Sequence, residues 1–421
     1  MMQQPGQALR RFRQMPNDEK KRRLERSGIR VCWMDDNTAD FAIGYAAQIH
    51  QLQVLEIRRR TIPGRFHKDL FHEGRPEVHA YDPSALDRNS QLYIRMERLA
   101  VRALYTLGLD SGEVVLTLLG ERSCQVRDVE AQPWLNDRRL DALYEAAARE
   151  EEAQEEGFLA EHGRNRLLIG MDPEFLLVRM PEGRIVPASR YLSRIGVAGC
   201  DAVSRRGRTL YPVAELRPAP SGDPALLLKH LRQAFATAAR RIADRTLIWQ
   251  AGGMPQPGFP LGGHLHFSGV PLNGALLRTL DNYLALPLAL LEDKRAARRR
   301  PHYGNLGDFR RQSYGGFEYR TLPSFLVSPQ LAKGVIGMAF LIASQYSRLQ
   351  RSPLDEEEAH RAFYEGNQIL LKEYMEPLIP DIVSLEVYPQ YEAYIGPLLD
   401  SLHKGKQWDE SRDLRPFWKL S

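Results

Sequence analysis

Four short apolar runs in the second half of the chain each carry two polar side chains separated by one residue. They are Asp172 and Glu174 in GMDPEF, Glu215 and Arg217 in AELRPAP, His264 and His266 in GGHLHFSG, and Glu318 and Arg320 in FEYRTLPS. Alternate residues of a β-strand share one face, about 7 Å apart. The residues between and beside them are apolar in most cases: Phe175, Leu216, Leu265, Phe267, Phe317 and Tyr319. Paired into one sheet, four such strands would present carboxylates, imidazoles and guanidinium groups on a common surface. Carboxylates from different strands suit hard divalent cations, and imidazole can join them. Arginines in the same place repel a bare cation, so they make sense where an anion binds too. A guanidinium grips phosphate oxygens with its two-pronged fork. Cation ligands beside arginines are the equipment of phosphoryl transfer.

Each residue also has a plainer reading. A single glutamate on a strand is usually solvated or ion-paired. His264 and His266, taken alone, would be ordinary core or surface histidines. Arg298, Arg299 and Arg300 read as a basic helix end that complements the helix dipole. The four pairs in order carry the argument, and no one of them does. Glycines add to it, because Gly262-Gly263 and Gly315-Gly316 stand just ahead of polar strands and would let backbone approach a ligand closely.

The elements that must position these residues follow from the surrounding pattern. Strand-like runs alternate with amphipathic helices at DPALLLKHLRQAFATAARRIADR, ALLRTLDNYLALPLALLEDKRAARRR and SPQLAKGVIGMAFLIASQYSRL. Pro181-Glu182-Gly183 supplies turn chemistry between two apolar strands. The stretch YGNLGDFRRQSYGG, with Arg310 and Arg311, reads as a polar, glycine-rich loop. The expected class is α+β, an antiparallel sheet backed by helices on one face.

The motifs GMDPEF, AELRPAP, GGHLHFSG, YGNLGDFR and FEYRTLPS, in that order, resemble the phage-type amidoligases. These are carboxylate–amine ligases of the glutamine-synthetase-like superfamily. The resemblance covers residues from about Arg166 to Ser328. It implies a funnel of antiparallel strands that holds ATP and Mg²⁺ and joins a carboxylate to an amine through an acyl phosphate. It implies that Glu174, Glu215, His264 and Glu318 are metal ligands, with Asp172 as a further candidate. Arg320 matches the arginine facing the transferred phosphoryl group, and Arg310 one that contacts nucleotide or substrate. Arg217 and His266 are placed with the nucleotide. Only one acid stands in the second motif, where glutamine synthetases have two, and Asp201 is the candidate for the other. Ammonia-site features are not recognisable, so the expected amine is larger than ammonia. The alternatives are a guanidino-kinase-like phosphotransferase and a non-catalytic peptide- or cell-envelope-binding module.

The whole chain sets outer bounds. Its 421 residues, 43% hydrophobic and 26% charged, suffice for two soluble domains. The net charge of +5 is local: residues 1–30 hold nine Lys and Arg against three acids. This argues against a specific nucleic-acid partner. Three scattered cysteines, no CxxC, no membrane-length apolar run and no apolar leader together suggest a cytoplasmic protein. The expected organisation is a basic, flexible lead (1–30), an α/β domain (31–136), a charged linker helix (137–162) bracketed by Pro133-Trp134 and Gly163, a catalytic domain (163–405) and a charged tail (406–421). In the N-terminal domain, SQLYIRMERLAVRALYTLGL reads as a helix, and GEVVLTLLG with SCQVRDVE as a hairpin. The hairpin is similar to the closing strands of an ATP-grasp domain, with Asp128 and Glu130 at its metal positions. Solvated acids on an ordinary hairpin are the favoured reading there. The chain leaves the carboxylate, the amine and the oligomeric state open.

Overall fold

The computed structural model describes residues 5–33, 42–62, 81–120, 123–132, 138–159, 167–205 and 208–420. The chain divides into a unit of residues 3–156 and a unit that takes in residues 157–421. Pro133, Trp134, Asp137 and Gly163, which bracket the expected joint, lie outside the described residues.

The first unit is built on an antiparallel sheet. Its strands are β1 (Ala42–His50), β2 (Gln53–Ile62), β3 (Tyr81–Ala85), β4 (Gly112–Leu119) and β5 (Ser123–Glu130), in the order β3-β2-β1-β4-β5. The expected hairpin is β4–β5. One sheet face is apolar, with Ala47, Ile57 and Val114 side by side in the register. Helix Gln91–Thr106, capped by the Ser90 hydroxyl accepting from the Tyr93 N–H, packs on the sheet through its apolar side. The opposite face is charged. Arg60 and Gln48 both donate to Glu113 at 2.5 Å, and Tyr144 donates to Gln48 at 3.1 Å. Tyr144 belongs to helix Arg138–Leu159, whose one fully buried side chain among those described is Leu140. The lead segment, expected to be flexible, is instead two helices, Pro5–Gln14 and Asn17–Arg26. Between its basic residues Phe12, Met15 and Leu24 are buried, which charge counting overlooks.

The second unit holds an eight-stranded antiparallel sheet. Its strands are β6 (Leu168–Arg179), β7 (Arg184–Val186), β8 (Ala198–Arg205), β9 (Arg208–Leu216), β10 (Leu247–Gln250), β11 (Gly263–Ser268), β12 (Phe309–Arg311) and β13 (Phe317–Tyr319). The main order is β12-β13-β11-β6-β9-β8, with β7 and β10 also on β6. Strand β6 is the spine. Residues 168–173 pair with β11, 174–176 with β9, and the far end with β7 and β10. Its back face is apolar. Phe175 stacks on Trp249 at 4.8 Å and meets Phe235 at 6.2 Å, and Phe235 belongs to helix Pro224–Arg241. This is the expected α+β arrangement, with β12 an extra strand inside the stretch read as a loop.

One expectation about a helix changes. The run from Ala275 to Arg300 is not one helix. It is Gly274–Leu280, a π-helical turn Asp281–Ala285, helix Leu286–Leu291, and a 3₁₀ turn Ala296–Arg299. Pro287 has no N–H to give to the preceding turn, and the wider turn absorbs that loss. The charged tail packs firmly. The Leu414 N–H donates to the Trp249 carbonyl at 2.9 Å, and the Trp418 indole N–H donates to the Leu326 carbonyl at 2.7 Å. Among the described residues, no helix is long and apolar enough to cross a membrane.

Candidate functional site

All four polar pairs lie in one sheet, on its front face. The register sets Asp172 opposite His264, Glu174 opposite Glu215, His266 opposite Glu318, and Arg310 opposite Glu318. Directly opposed residues of an antiparallel pair point the same way, so nine candidates from five strands and their ends converge. Beyond the acids the same face turns apolar. Leu176, Val178, Val213 and Leu261 form a buried cluster that shields this side of Glu174 and Glu215 from water.

Two groups of side chains have donor atoms within 4.8 Å of one another, close enough to share a cation: Asp172, His266 and Glu318, and Glu174, Asp201 and Glu215. Asp201 thus stands with the second-motif acid, as Gly199 and Asp201 of β8 run beside Glu215 and Val213. His264 joins neither group. Its Nδ1 lies 3.1 Å from Asp172 Oδ1 and 3.4 Å from Glu318 Oε1, between two carboxylates. His266 Nε2 lies 3.0 Å from Asp172 Oδ2.

Backbone closeness is built in at Gly262. Its N–H donates to Glu174 Oε2 at 2.6 Å, and a Cβ there would fall 2.2 Å from His264 Nε2. Only glycine leaves room for the ring. The Ser324 hydroxyl ties down the Glu174 carbonyl at 2.5 Å.

Arginines surround the acids from the solvent side. Arg310 donates to Glu318 Oε2 from Nε at 2.7 Å, and Gln312 donates to the same oxygen at 3.0 Å. Arg320 stands as an ion pair with its Nε 3.2 Å from Glu318 Oε1. Arg217 pairs with Glu215. Tyr314, in the β12–β13 turn, comes within 3.3 Å of His266 Nδ1. No residue in the sequence pattern pointed to Gln312, Tyr314 or Ser324, because their roles depend on a turn and a strand end that no periodicity marks.

The electrostatics follow from crowding and burial. Burial pushes the Glu174 carboxyl up to about 7, against the pull of His264 and the Gly262 N–H. Burial and then the negative charge of Asp172 push Glu215 above the usual carboxylate range, with Arg217 pulling the other way. Burial also opposes charge on Asp172, yet the hydrogen bonds and charges of His264 and His266 win and hold it well below the usual carboxylate range. Burial would lower His264, but Asp172, Glu174 and Glu318 together raise it to about 9. A surface with raised acids and two three-donor groups fits a divalent cation, whose charge would favour the ionised carboxylates. Asp128 and Glu130 of the first unit join no such group among the described residues.

Arg299 and Arg300, at the basic helix end, are spent on partners inside the protein. Arg299 is buried and donates to the carbonyls of Leu261 and Thr321, bracing the ends of the strands that carry His264 and Glu318. Arg300 is buried against Glu292.

Residues 169–420 match the model of a family described as phage phiEco32-like COOH.NH2 ligase-type 2. No curated protein matches the chain. Among solved structures, it is similar to a bifunctional glutathione synthetase from Pasteurella multocida, at 12% identity and a TM-score of 0.37, over 62% of this chain and 53% of that one. It therefore spans about half the length of that enzyme. It is also similar to a novel glutamine synthase homolog, at 15% identity and a TM-score of 0.29, over 71% of this chain and 80% of that one. A third is GmaS in a ligand-free form, at 13% identity and a TM-score of 0.31, over 92% and 97%.

Proposed function

Because the chain belongs to the phage phiEco32-like COOH.NH2 ligase-type 2 family, we propose that it is an ATP-dependent carboxylate–amine ligase working through an acyl phosphate. The observation that carries this reading is the pair of three-donor groups flanked by arginines on one sheet face. Such a surface has no use for a neutral ligand, and it fits a polyphosphate bound with divalent cations.

In this reading Asp172, His266 and Glu318 would hold one Mg²⁺ and Glu174, Asp201 and Glu215 another. The ions, when bound, neutralise the phosphates and favour the leaving ADP. His264, between Asp172 and Glu318, orients both carboxylates. Arg320 and Arg310, on the solvent side of Glu318, would take the transferring phosphoryl oxygens. The substrate carboxylate attacks the γ-phosphorus, the bond to ADP breaks, and an acyl phosphate forms. The amine then attacks the acyl carbon and releases phosphate. No side-chain nucleophile is needed for either step. The amine is expected to be larger than ammonia, and the reaction to take place in the cytoplasm.

Calorimetry tests the reading. ATP should bind in Mg²⁺ and lose that binding in EDTA, because clustered carboxylates repel bare phosphates. Equal affinity in both buffers would remove the metal site from the account.

A further inference from the structure

We infer that Arg217 and Arg310 are resident counter-ions of Glu215 and Glu318, so that a divalent cation binds strongly only together with an anion that draws the arginines away. The inference rests on the metal and nucleotide reading given above and adds the coupling between the two ligands at that site.

The oxygens are the starting point. Glu318 is almost wholly buried, with 1% of its side chain exposed, whereas Arg310 is 54% exposed. Two nitrogens of Arg310 reach Glu318 Oε2, Nε at 2.7 Å and Nη2 at 2.5 Å, and Gln312 takes the same oxygen. Oε1 faces Arg320 and His264. A cation that needs Glu318 must therefore compete for oxygens already in use. The second acid repeats the arrangement: Glu215 is 7% exposed and its partner Arg217 33%.

The position of Arg217 is written into the neighbouring strand. Gly199 lies opposite Glu215, and a Cβ there would fall 2.1 Å from Arg217 Nη1. A side chain at 199 would drive the guanidinium off its carboxylate. The Arg217 Nη1 also donates to the Arg194 carbonyl at 3.3 Å, which holds it across β8.

In both pairs the carboxylate is the more buried partner and the guanidinium the more exposed one. A lone cation would have to strip a guanidinium from its carboxylate and leave it beside new positive charge. A cation arriving with a polyphosphate gives the guanidinium a second anion, which its fork fits at least as well. Every charge stays paired, because the carboxylates exchange arginine for metal and the arginines exchange carboxylate for phosphate. Metal and nucleotide would then strengthen each other's binding by the same factor.

The experiment is a Mn²⁺ titration read by the electron paramagnetic resonance of the free ion, without nucleotide and with ATP. It compares the full-length wild type with Arg310→Ala and Arg217→Ala, with thermal melts confirming that each is folded. Removing one charge-assisted competitor should tighten the binding of Mn²⁺ alone by about tenfold or more. It should also shrink the gain in affinity that ATP provides. Arg310 is the more exposed, so its variant decides the matter if Arg217→Ala fails to fold. Mn²⁺ affinity unchanged or weaker in folded Arg310→Ala overturns the inference, even where ATP binding still requires metal. If Mn²⁺ binds more tightly to the variant but no protein binds ATP, the counter-ion role stands and the ligase reading falls.

Discussion

Glu174 and Glu215 stand directly opposite each other on adjacent strands, both at least nine-tenths buried. Two carboxylates so placed cannot both ionise cheaply, and burial raises both. Removing one should relieve the other. Glu215→Gln also takes the ion-pair partner from Arg217, so it is expected to leave thermal stability in EDTA little changed and to lower the stabilisation gained from Mg²⁺ with ATP. Differential scanning calorimetry in the two buffers checks it, and a variant less stable in EDTA yet equally stabilised by Mg·ATP would count against a shared cation site.

Arg320→Lys should lose turnover far more than nucleotide affinity. Lysine keeps the charge but lacks the planar fork that can contact two phosphoryl oxygens. Losing one donor aimed at the transferring group typically costs about 10²–10³ in rate. Glu318→Gln should weaken Mg·ATP binding itself. ATP titration and ADP release on both variants separate the roles, and wild-type turnover in Arg320→Lys would displace that residue from the reaction.

Behind the site, the Tyr319 hydroxyl donates to Asp281 Oδ1 at 2.6 Å, tying the strand of Glu318 and Arg320 to the π-helical turn. Tyr319→Phe should lower stability by about 1–3 kcal/mol, since a buried carboxylate loses a donor. Urea unfolding measures this, and a change within error would make the contact incidental.

A pH effect is expected at Glu410. Burial pushes its carboxyl from 4.5 up to about 7, despite N–H bonds from Gly253, the Trp408 indole and Met254. A raised folded pKa means the folded state holds the proton more tightly than the unfolded chain. Its contribution is complete below about 4.5 and is lost as pH rises through about 7. Wild type should thus lose stability relative to Glu410→Gln between pH 5 and 8, by about 3 kcal/mol at most from a shift of that size. Chemical unfolding at the two pH values tests the sign, and a wild type that gains on the variant would reverse it.

The front face was legible because a strand alternates its side chains strictly, so Asp172 and Glu174, or His264 and His266, had to share a side. Which residues meet across strands was not legible. The pairing of Glu174 with Glu215, and of Asp172 with His264, is set by the register of distant segments. Asp201 was visible only as a stray acid, since β8 lacks clean alternation. His264 and His266 carry the same local signal, and their exchange of neighbours depends on whether β6 or β13 lies alongside. The lead helices were masked by their charge, and the break at Asp281–Ala285 by a helical pattern that the π turn interrupts without altering its apolar content.

The central claim is that one site spends ATP to join a carboxylate to an amine. The most direct measurement is ADP and phosphate release from ATP, with Mg²⁺, against pooled carboxylates and pooled amines offered separately and together. The account predicts ADP and phosphate in equal amounts, with sustained turnover only when both pools are present and none in Glu174→Gln. ADP without phosphate would mean transfer to an acceptor that keeps the phosphoryl group, and would contradict ligation.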